Sequence, residues 1–464
     1  MGRPRRRNWR MPDALVLLLL LIVLAQLATY FLPAGEFERD GRQVVRGTYH
    51  PVEADPLPPL AFLTAIPAGL AAAQDIIFFV FIAGGVIAVV RATGAVDALI
   101  GAALRRLASR PALLIGGMVL LFALGSSTVG MAEEYVAFVP VLVTLCLALR
   151  MDAVVAVGIL YVGAGVGYAC AALNPFTVLI AQDIAGLPLT SGQAVRWLLL
   201  LVCAAVGVQH VLRYAVRVRG EPAASLVAGI DYSSGYELPA DVEMTRGRLL
   251  VAAIFVVGIA AFVYGIAAYG WYLTELSAVF LAIGLLAALA GGLGPNAAAR
   301  AFLGGAAAMT TTALLIGFAR AIQVVLSDAR VIDTVIHGLA EPLAALPAHA
   351  AAVGMLVVQT VCNFLIPSGS GQAFVTMPIM APLADLTGVT RQTAVLAYQF
   401  GDGFTNMIAP TNAVLMGILG LARIPYASWV RFILPLQLKL NAVAVVALVI
   451  AVQLGYRTVK TIQA

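Results

Sequence analysis

Charged residues are scarce in this chain. They make up 11% of its 464 residues, and hydrophobic residues make up 62%, whereas soluble domains have about 25% charged and 45–50% apolar residues. This shortage of charge excludes an ordinary soluble domain and predicts an all-α polytopic membrane protein. Because a span needs about 20 apolar residues, we expect roughly ten to twelve crossings plus two re-entrant hairpins.

Cysteine is rare as well, and its spacing predicts no disulfide framework. All four cysteines lie in apolar segments without a Cys-x-x-Cys pair, which is typical of buried free thiols. They are Cys146, Cys170, Cys203 and Cys362. The pattern therefore indicates no structural metal site.

Histidine is too sparse to favour an intramembrane enzyme. Ser370, in the run Ser-Gly-Ser-Gly, resembles a nucleophilic serine, but such a nucleophile needs a general base. No histidine follows residue 349, and the His-Glu-x-x-His metal motif is absent from the sequence. Each histidine falls near a predicted loop or segment end: His50, His210, His337 and His349. An enzyme is thus the weaker alternative.

Basic residues are concentrated before the first apolar run and around residues 213–248. The first group places the N-terminus in the cytoplasm by the positive-inside rule. A signal peptide is the alternative, but the run from about Ala14 to Leu32 is long for a signal core, so we favour a retained helix. Since the arginines flank spans one by one, nucleic-acid binding is disfavoured. The groups are Arg3, Arg5, Arg6, Arg7 and Arg10, and Arg213, Arg217, Arg219, Arg246 and Arg248.

Two polar runs inside apolar sequence resemble each other. Gly125–Gly130 reads Gly-Ser-Ser-Thr-Val-Gly, and Pro367–Gln372 reads Pro-Ser-Gly-Ser-Gly-Gln. Each is followed by a proline, an apolar segment and a second polar break, at Asn174–Thr177 or Ala409–Asn412. Polar groups at membrane depth must be buried in protein or line a wet cavity. Paired broken segments at corresponding places in two halves therefore indicate the binding site of a secondary transporter.

The repeat divides the chain into four parts. We expect an N-terminal helix and extracellular loop at 1–60, a first repeat at 61–212, a cytoplasmic linker at 213–248 and a second repeat at 249–464. Amphipathic stretches near 96–109 and 331–339 precede the two broken units. An odd number of crossings in each half would make the repeats inverted, which is the arrangement that allows alternating access.

Three acidic residues stand where an ionised carboxylate needs a partner, a cavity or a proton. Glu133 and Glu134 follow the first polar run and could bind a cation, carry a proton or contact a substrate ammonium. Their alternative is interfacial water at a hairpin end. Asp402 lies between Gly401 and Gly403, where a helix interruption would release carbonyls beside a carboxylate, and this suits Na⁺. The alternative for Asp402 is a cap of the following half-helix.

Hydroxyl, amide and glycine residues at the tips and breaks are further candidates. At a hairpin tip they would offer hydroxyls and backbone N–H groups to an anion, and half-helix N-termini would add positive potential. Close helix packing is the alternative use of the small residues. The set comprises Ser126, Ser127, Thr128, Asn174, Thr177, Ser368, Gly369, Ser370, Gly371, Thr405, Asn406, Thr411 and Asn412.

Two arginines are candidate partners of a substrate carboxylate. Arg391 begins a span after a polar stretch, so we expect an interfacial position. Arg320 lies deeper, in Gly-Phe-Ala-Arg, where snorkelling of the side chain is the simpler account.

At these motifs the chain resembles the YfcC-type members of the ion-transporter superfamily, which are related to ArcD-type basic amino-acid antiporters and DcuC-type dicarboxylate carriers. The resemblance implies two inverted repeats, each with a re-entrant hairpin and an interrupted helix. These would form a mobile transport domain against a scaffold, commonly in a homodimer with elevator-type motion. The likeness rests on Gly130–Glu134 with Phe138, Asn174–Thr177, Pro367–Gln372, and Gly401–Asn406 leading to Pro410–Asn412.

The resemblance also implies which residues surround the substrate and the coupling ion. The tips read Ser-Ser-Thr and Ser-Gly-Ser, where the better-known dicarboxylate carriers have Ser-Asn-Thr, so dicarboxylate specificity is not implied. The implied residues include Ser127, Thr128, Asn174, Ser370, Asp402, Asn406 and Asn412.

The sequence thus predicts a secondary active transporter of a small charged organic solute in the plasma membrane, the inner membrane of a bacterium. An amino acid, basic or related, is favoured over a dicarboxylate or other organic anion, because the buried acids could match an ammonium or carry Na⁺ or H⁺. Exchange is the alternative form of coupling. No cofactor is expected, and the partners are the lipid bilayer and a second copy of the chain. A channel is disfavoured because no filter sequence is present.

Overall fold

The computed structural model describes residues 14–40, 43–45, 47–99, 102, 110–128, 130–174, 176–232, 243–269, 271 and 273–456. The cytoplasmic placement of the N-terminus stays a prediction, because the first group of arginines falls outside these ranges. Outside them lie Arg3, Arg5, Arg6, Arg7, Arg10, Pro175, most of the stretch 96–109 and residues 233–242 of the linker.

The described chain is nearly all helix, as its composition predicts, because a helix satisfies its own backbone hydrogen bonds where water is absent. Short 3₁₀ segments cover Glu133–Phe138, Pro222–Ala224 and Glu341–Ala345, and a π-helical turn covers Gly158–Val162. The α-helices are α1 Ala14–Thr29, α2 Ala61–Ala72, α3 Gln74–Ala92, α4 Pro111–Thr128, α5 Val139–Ala148, α6 Ala153–Val157, α7 Gly163–Ala169, α8 Val178–Ile184, α9 Gln193–Gly220, α10 Arg246–Tyr269, α11 Leu273–Ala290, α12 Pro295–Ala308, α13 Thr310–Asp328, α14 Ile332–Ala340, α15 Ala348–Leu365, α16 Gly369–Thr387, α17 Arg391–Thr405, α18 Ala413–Leu421 and α19 Tyr426–Gln453.

The loop between α1 and α2 holds two small antiparallel strand pairs. Arg39 of this loop forms an ion pair with Asp333 of α14 at 2.8 Å. Tyr49 stacks on His337 of the same helix, with ring centroids 4.2 Å apart. The loop is therefore an ordered element packed on the second half. The pairs are β1 Gly35–Glu36 with β4 His50–Pro51, and β2 Arg39–Asp40 with β3 Gln43–Val44.

Six of the described helices are long and apolar enough to cross a membrane on their own. They are α3, α4, α9, α11, α15 and α19. The pair α12 and α13, bent by 40°, is a seventh candidate span. Other apolar helices, such as α2 and α5, are shorter. The predicted number of ten to twelve crossings stays a prediction.

The two halves present matching elements in the same order. A helix of 18 residues (α4 or α15) leads through a tip to the return helix of a hairpin (α5 or α16). An interrupted helix follows (α6–α7 or α17), then a short helix after the break (α8 or α18). A helix of 28 residues (α9 or α19) closes each unit. The broken units predicted from the polar runs are therefore present. Helix α9 runs to Gly220 and so includes the start of the stretch predicted as a linker.

Each half also contains a broken helix that the polar runs do not mark. Helices α2 and α3 meet at Ala73, and α12 and α13 meet at Met309. These pairs pack across the halves, α3 on α12 and α2 on α13. Small residues allow the approach, since a Cβ on Gly69 would lie 2.5 Å from the carbonyl oxygen of Gly317. The two halves are thus interlocked outside their hairpins.

The interrupted helices pack against each other at the centre, and each packs on its own hairpin. Helix α7 contacts α4 and α17, and α17 contacts α15. Glycine permits the central contact, because a Cβ on Gly403 would lie 2.2 Å from the backbone nitrogen of Ala169. A Cβ on Gly401 would likewise lie 2.4 Å from the Cβ of Gln359. These two glycines therefore serve helix packing.

The interruption of the second unit lies after Asp402 and not at it. Helix α17 continues through both flanking glycines to Thr405, and the Asn406 N–H still donates to the Asp402 carbonyl at 3.1 Å. The Asp402 carbonyl is therefore not released, and Gly401 and Gly403 lie inside the helix. The break covers residues 406–412. It includes Ala409–Asn412, where the sequence predicted the second polar break.

Candidate functional site

The second polar run forms the tip between α15 and α16. Ser368 has an extended backbone and caps α16, because its Oγ accepts from the Gly371 N–H at 3.4 Å. Pro367 lacks an N–H and precedes this cap, so one helix ends and the next begins over a short turn. The Gly369 carbonyl accepts from the Tyr398 hydroxyl at 2.7 Å. The tip is thereby tied to the interrupted helix α17.

Asp402 lies beside this tip and is buried, with 1% of its surface exposed. Its Oδ1 accepts from the side-chain amides of Asn363 and Asn406, both at 3.0 Å. Its Oδ2 has no hydrogen-bond partner among the described residues. A Cβ on Gly369 would lie 3.2 Å from that oxygen. One carboxylate oxygen is thus held by the protein, and the other is left for a ligand.

A series of side chains leads from Asp402 to the first half. Asn406 Oδ1 accepts from Asn412 Nδ2 at 2.7 Å, and Asn412 Oδ1 accepts from the Tyr161 hydroxyl at 3.1 Å. Asn412 also caps α18 by accepting from the Leu415 N–H at 2.8 Å. The alternative in which Asp402 caps that half-helix is therefore wrong. Tyr161 lies in the π-helical turn, a distortion that is frequent at functional sites.

A second group of buried amides extends from Asp402 along the hairpin. Asn363 Nδ2 lies 3.2 Å from Gln372 Oε1, and Gln372 Nε2 donates to Gln359 Oε1 at 2.7 Å. Asn363 Oδ1, like Asp402 Oδ2, has no hydrogen-bond partner within the described ranges. Oxygen atoms of this kind fit a cation such as Na⁺. Asn363 and Gln359 are not among the candidates chosen from the sequence, although amides in an apolar helix next to a polar tip were a usable signal.

The first polar run is satisfied internally. Ser126 Oγ donates to the Met131 carbonyl at 2.9 Å, and Ser127 Oγ accepts from the Ala172 N–H at 3.0 Å. Thr128 Oγ1 donates to the carbonyl four residues earlier in its own helix, at 2.7 Å. Ser126 and Ser127 thus bond the tip to the segments around it, whereas Thr128 bonds within its own helix. Their expected role at a bound solute stays a prediction.

Asn174 and Gly130 lock this first tip to the break that follows α7. Asn174 Nδ2 donates to the Ser126 carbonyl at 2.9 Å, and its Oδ1 accepts from the Phe176 N–H at 2.8 Å. Gly130 has a φ of +85°, and a Cβ there would lie 2.8 Å from Asn174 Oδ1. The Tyr168 hydroxyl donates to the Gly130 carbonyl at 2.7 Å. The tip and the break therefore form one rigid corner.

A cavity of about 580 Å³ lies between the two tips, a volume typical of small-molecule sites. Its wall includes Gly130 of the first tip, Gly369 of the second and Ala73 at the break between α2 and α3. The candidate residues that line it are Thr177, Ser368, Gly369, Ser370, Asn406, Thr411 and Asn412. Other candidates with described side chains do not line it: Ser126, Ser127, Thr128, Asn174, Gly371, Asp402 and Thr405.

Arg320 of α13 also lines the cavity and is the one charged residue among its described lining residues. Its Nη1 donates to Gln323 Oε1 at 2.5 Å. Arg320 thus borders a cavity between the two halves, and the snorkelling alternative stays a prediction. Arg391 pairs with Asp385 at 2.7 Å, and both side chains are exposed, as expected for an interfacial residue.

Glu133 and Glu134 follow the first tip in the 3₁₀ segment. Their side chains lie outside the described part of the structure. The roles expected for them, and the interfacial alternative, stay predictions.

A buried arginine joins the halves at some remove from the cavity lining. Arg196 of α9 is fully buried and donates to Gln399 Oε1 at 2.8 Å and to Gln392 Oε1 at 2.9 Å, both in α17. Gln399 Nε2 donates in turn to the Ala171 carbonyl at 2.9 Å, at the end of α7. The two interrupted helices are therefore bonded to each other and to α9.

Comparison with known proteins shows similarity over nearly the whole chain. Residues 11–453 match the sequence model of a family described as DcuC, C4-dicarboxylate anaerobic carrier. The YfcC protein of Escherichia coli K12, whose name assigns it provisionally as a basic amino acid antiporter, is 34% identical over 93% of this chain and 94% of its own. An uncharacterized protein of Haemophilus influenzae is 30% identical over 88% of this chain and 82% of its own. Among solved structures, the YdaH transporter of Alcanivorax borkumensis covers 96% of this chain and 99% of its own at 17% identity, with a TM-score of 0.44.

Proposed function

The chain belongs to the DcuC family, and from that membership we propose that it is a secondary active transporter of a small charged organic solute. The family and its provisionally named relative are membrane transporters, and neither description is that of an enzyme. The observation that supports the proposal best is the cavity between the two broken units. A buried carboxylate with one unpartnered oxygen stands beside it, at Asp402.

The solute that we propose is an amino acid, basic or related. Its ammonium or the coupling cation would neutralise Asp402, whose Oδ2 has no partner among the described residues. The provisional name of the E. coli relative agrees with this class. The alternative is a dicarboxylate or other organic anion, which the description of the family favours, although the tips lack the Ser-Asn-Thr sequence.

The candidate residues divide into four groups in this proposal. Those that line the cavity contact the solute, and Asp402 with Asn363 receives Na⁺ or H⁺. Glu133 and Glu134 are kept as further ion or ammonium contacts. The remaining candidates support the tips and breaks: Ser126, Ser127, Thr128, Asn174, Gly371 and Thr405.

For the mechanism we propose elevator-type alternating access by inverted repeats, in a homodimer in the bacterial inner membrane. The interrupted helices would move together with α9, because Arg196, Gln399 and the Ala171 carbonyl bond α9, α17 and the end of α7 to one another. The hairpins would follow, since they pack on the interrupted helices. The interlocked pairs α2–α3 and α12–α13 would form the scaffold. Coupling would use Na⁺ or H⁺, or exchange of two solutes.

Uptake into proteoliposomes tests the proposal. Labelled arginine, ornithine and succinate are offered with and without Na⁺ and pH gradients. We expect gradient-driven accumulation of an amino acid, and a loss of at least about tenfold in the Asp402→Asn variant, because the charge-dependent contact is removed. The matched control is Asp385→Asn, which alters an exposed ion pair and should leave uptake unchanged.

The other outcomes separate the alternatives. Accumulation of succinate alone would favour the organic-anion carrier. Currents that need no gradient coupling would favour a channel, and product formation from a lipid or peptide would favour an enzyme. Coupled uptake that is unchanged in Asp402→Asn would remove Asp402 from the coupling site.

A further inference from the structure

Arg320 is the one charged side chain among the described residues that line the cavity between the tips. Arg320 stands eight residues before Asp328, the last residue of α13, so it is about 12 Å from the nearer end of that helix. An arginine at this depth is costly in a membrane protein unless it meets an anion, a cavity or a partner. Gln323, one turn later, accepts from Arg320 Nη1 at 2.5 Å and orients the guanidinium along the helix.

Two helix N-termini meet the same cavity. The first turn of α16 contributes Ser368, Gly369 and Ser370 to the wall, and that of α18 contributes Asn412 and Ala413. Both helices have a side-chain cap, so their first N–H groups are set in place. A helix N-terminus carries a partial positive charge and binds anions.

Two buried hydroxyls in the wall have no partner of their own. Thr177 is 1% exposed and Thr411 is 8% exposed, and the Oγ1 of each makes no hydrogen bond within the described chain. Both line the cavity. A buried hydroxyl left unbonded is unfavourable, and a negatively charged acceptor in the cavity would satisfy both.

From these observations we propose that Arg320 binds the carboxylate of the transported solute, aided by the Thr177 and Thr411 hydroxyls and the N-termini of α16 and α18. The guanidinium suits this role because it can give two parallel hydrogen bonds to a carboxylate. This assignment rests on the proposed transport function. It adds a residue from α13, outside both broken units, to the solute site.

Thermal shift of the purified full-length protein tests the assignment with three matched pairs of probes. L-Arginine is compared with agmatine, L-ornithine with putrescine, and succinate with succinamide, so each pair differs in its carboxylates. Ligand that binds the folded state raises the melting temperature. In the wild type we expect at least one acid to bind and its partner to bind about 10- to 100-fold more weakly, as for loss of a charged hydrogen bond.

Substitution of Arg320 then identifies the residue. In Arg320→Gln the affinity for the acid should fall about 10- to 100-fold and match that of its partner, whereas Arg320→Lys should keep part of it. Arg391→Gln is the matched control, since Arg391 lies in an exposed ion pair and should leave both affinities unchanged. If Arg320→Gln does not fold, the wild-type pairs and Arg320→Lys still decide the matter.

The assignment is overturned if no acid binds, if acid and partner bind equally, or if Arg320→Gln weakens both by the same factor. Uptake measured on the same preparations keeps its failure distinct from that of the transport proposal. Carboxylate-dependent binding without uptake would remove the transport function and keep the subsite. Coupled uptake that Arg320→Gln leaves unchanged would keep the transport function and remove the subsite.

Discussion

The two hairpin tips occupy equivalent places in the chain but use their polar atoms differently. In the first tip, Ser126 bonds to the Met131 carbonyl, and Ser127 accepts from the backbone beyond α7. In the second, one oxygen of the Asp402 carboxylate and the amide oxygen of Asn363 have no hydrogen-bond partner among the described residues. The serine hydroxyls of the first tip are therefore used in hydrogen bonds within the protein, whereas polar atoms beside the second tip are available to a ligand.

This difference indicates a division of labour between the halves. A buried polar atom without a partner costs about 1–3 kcal/mol, so unpartnered atoms that gather beside one cavity point to a ligand. Thr177 belongs to the first half, but its unpartnered hydroxyl lies beside the same cavity. It is next to the second tip, because its Cγ2 would lie 2.5 Å from a Cβ on Gly369. Residues of both halves line the cavity, but the unpartnered polar atoms beside it belong to the second half and to Thr177 among the described residues.

Alanine at the two tip glycines should give the largest contrast. Gly130→Ala combines a positive φ with contact to Asn174 and Phe176, so we expect a loss of roughly 2–4 kcal/mol in stability, seen as a lower melting temperature. Gly369→Ala pushes the second tip away from Thr177 and Asp402. It should lower uptake at least about tenfold, as for a displaced charged contact, with little change in melting temperature.

Gly117→Ala is the control for both variants, since a Cβ there meets nothing within 4 Å. It should leave melting temperature and uptake near those of the wild type. A Gly130→Ala protein with normal melting temperature but impaired uptake would show that the first tip acts directly in transport, and the contrast would fail.

Some of this site could be predicted from the sequence because polarity inside apolar segments is rare. That signal located both tips and the breaks at Asn174 and Asn412. The flanking glycines also suggested an interruption at Asp402, but Gly401 and Gly403 lie inside α17 and serve close packing on Gln359 and Ala169. Local pattern cannot reveal such contacts between distant segments.

Arg320 and Arg196 show the same limit. Arg320 is the one cation of α13, for which the sequence favoured snorkelling, whereas Arg196 was not among the sequence candidates. Arg320 reaches a cavity only because the broken pair α12–α13 packs across the halves. Arg196 finds its acceptors on α17, about two hundred residues away along the chain, where Gln392 and Gln399 lie. Tertiary packing decided both roles.

Ser126→Ala tests the structural role of the first tip and should have an intermediate effect. The change removes the hydrogen bonds of Ser126 Oγ to the Met131 carbonyl and the Tyr135 hydroxyl. We expect a loss of about 1–3 kcal/mol in stability, because buried polar atoms lose their partner, and an unchanged KM for uptake. Ser277→Ala is the control, since its hydroxyl bonds within its own helix. A raised KM at wild-type stability would place Ser126 at the solute instead.

Valine at the two unpartnered threonines should give the smallest change in stability and the opposite pattern. Thr177→Val and Thr411→Val replace a buried hydroxyl that makes no bond in the described chain, so stability should stay equal or rise slightly. Solute affinity should fall about fivefold in each, since one hydrogen bond to the solute contributes about 1 kcal/mol. Thr144→Val is the control, because its Oγ1 donates to the Pro140 carbonyl at 2.8 Å and its loss should lower stability alone. If Thr177→Val and Thr411→Val also lower stability alone, their hydroxyls serve the fold. The proposed difference between the two tips would then be wrong for these residues.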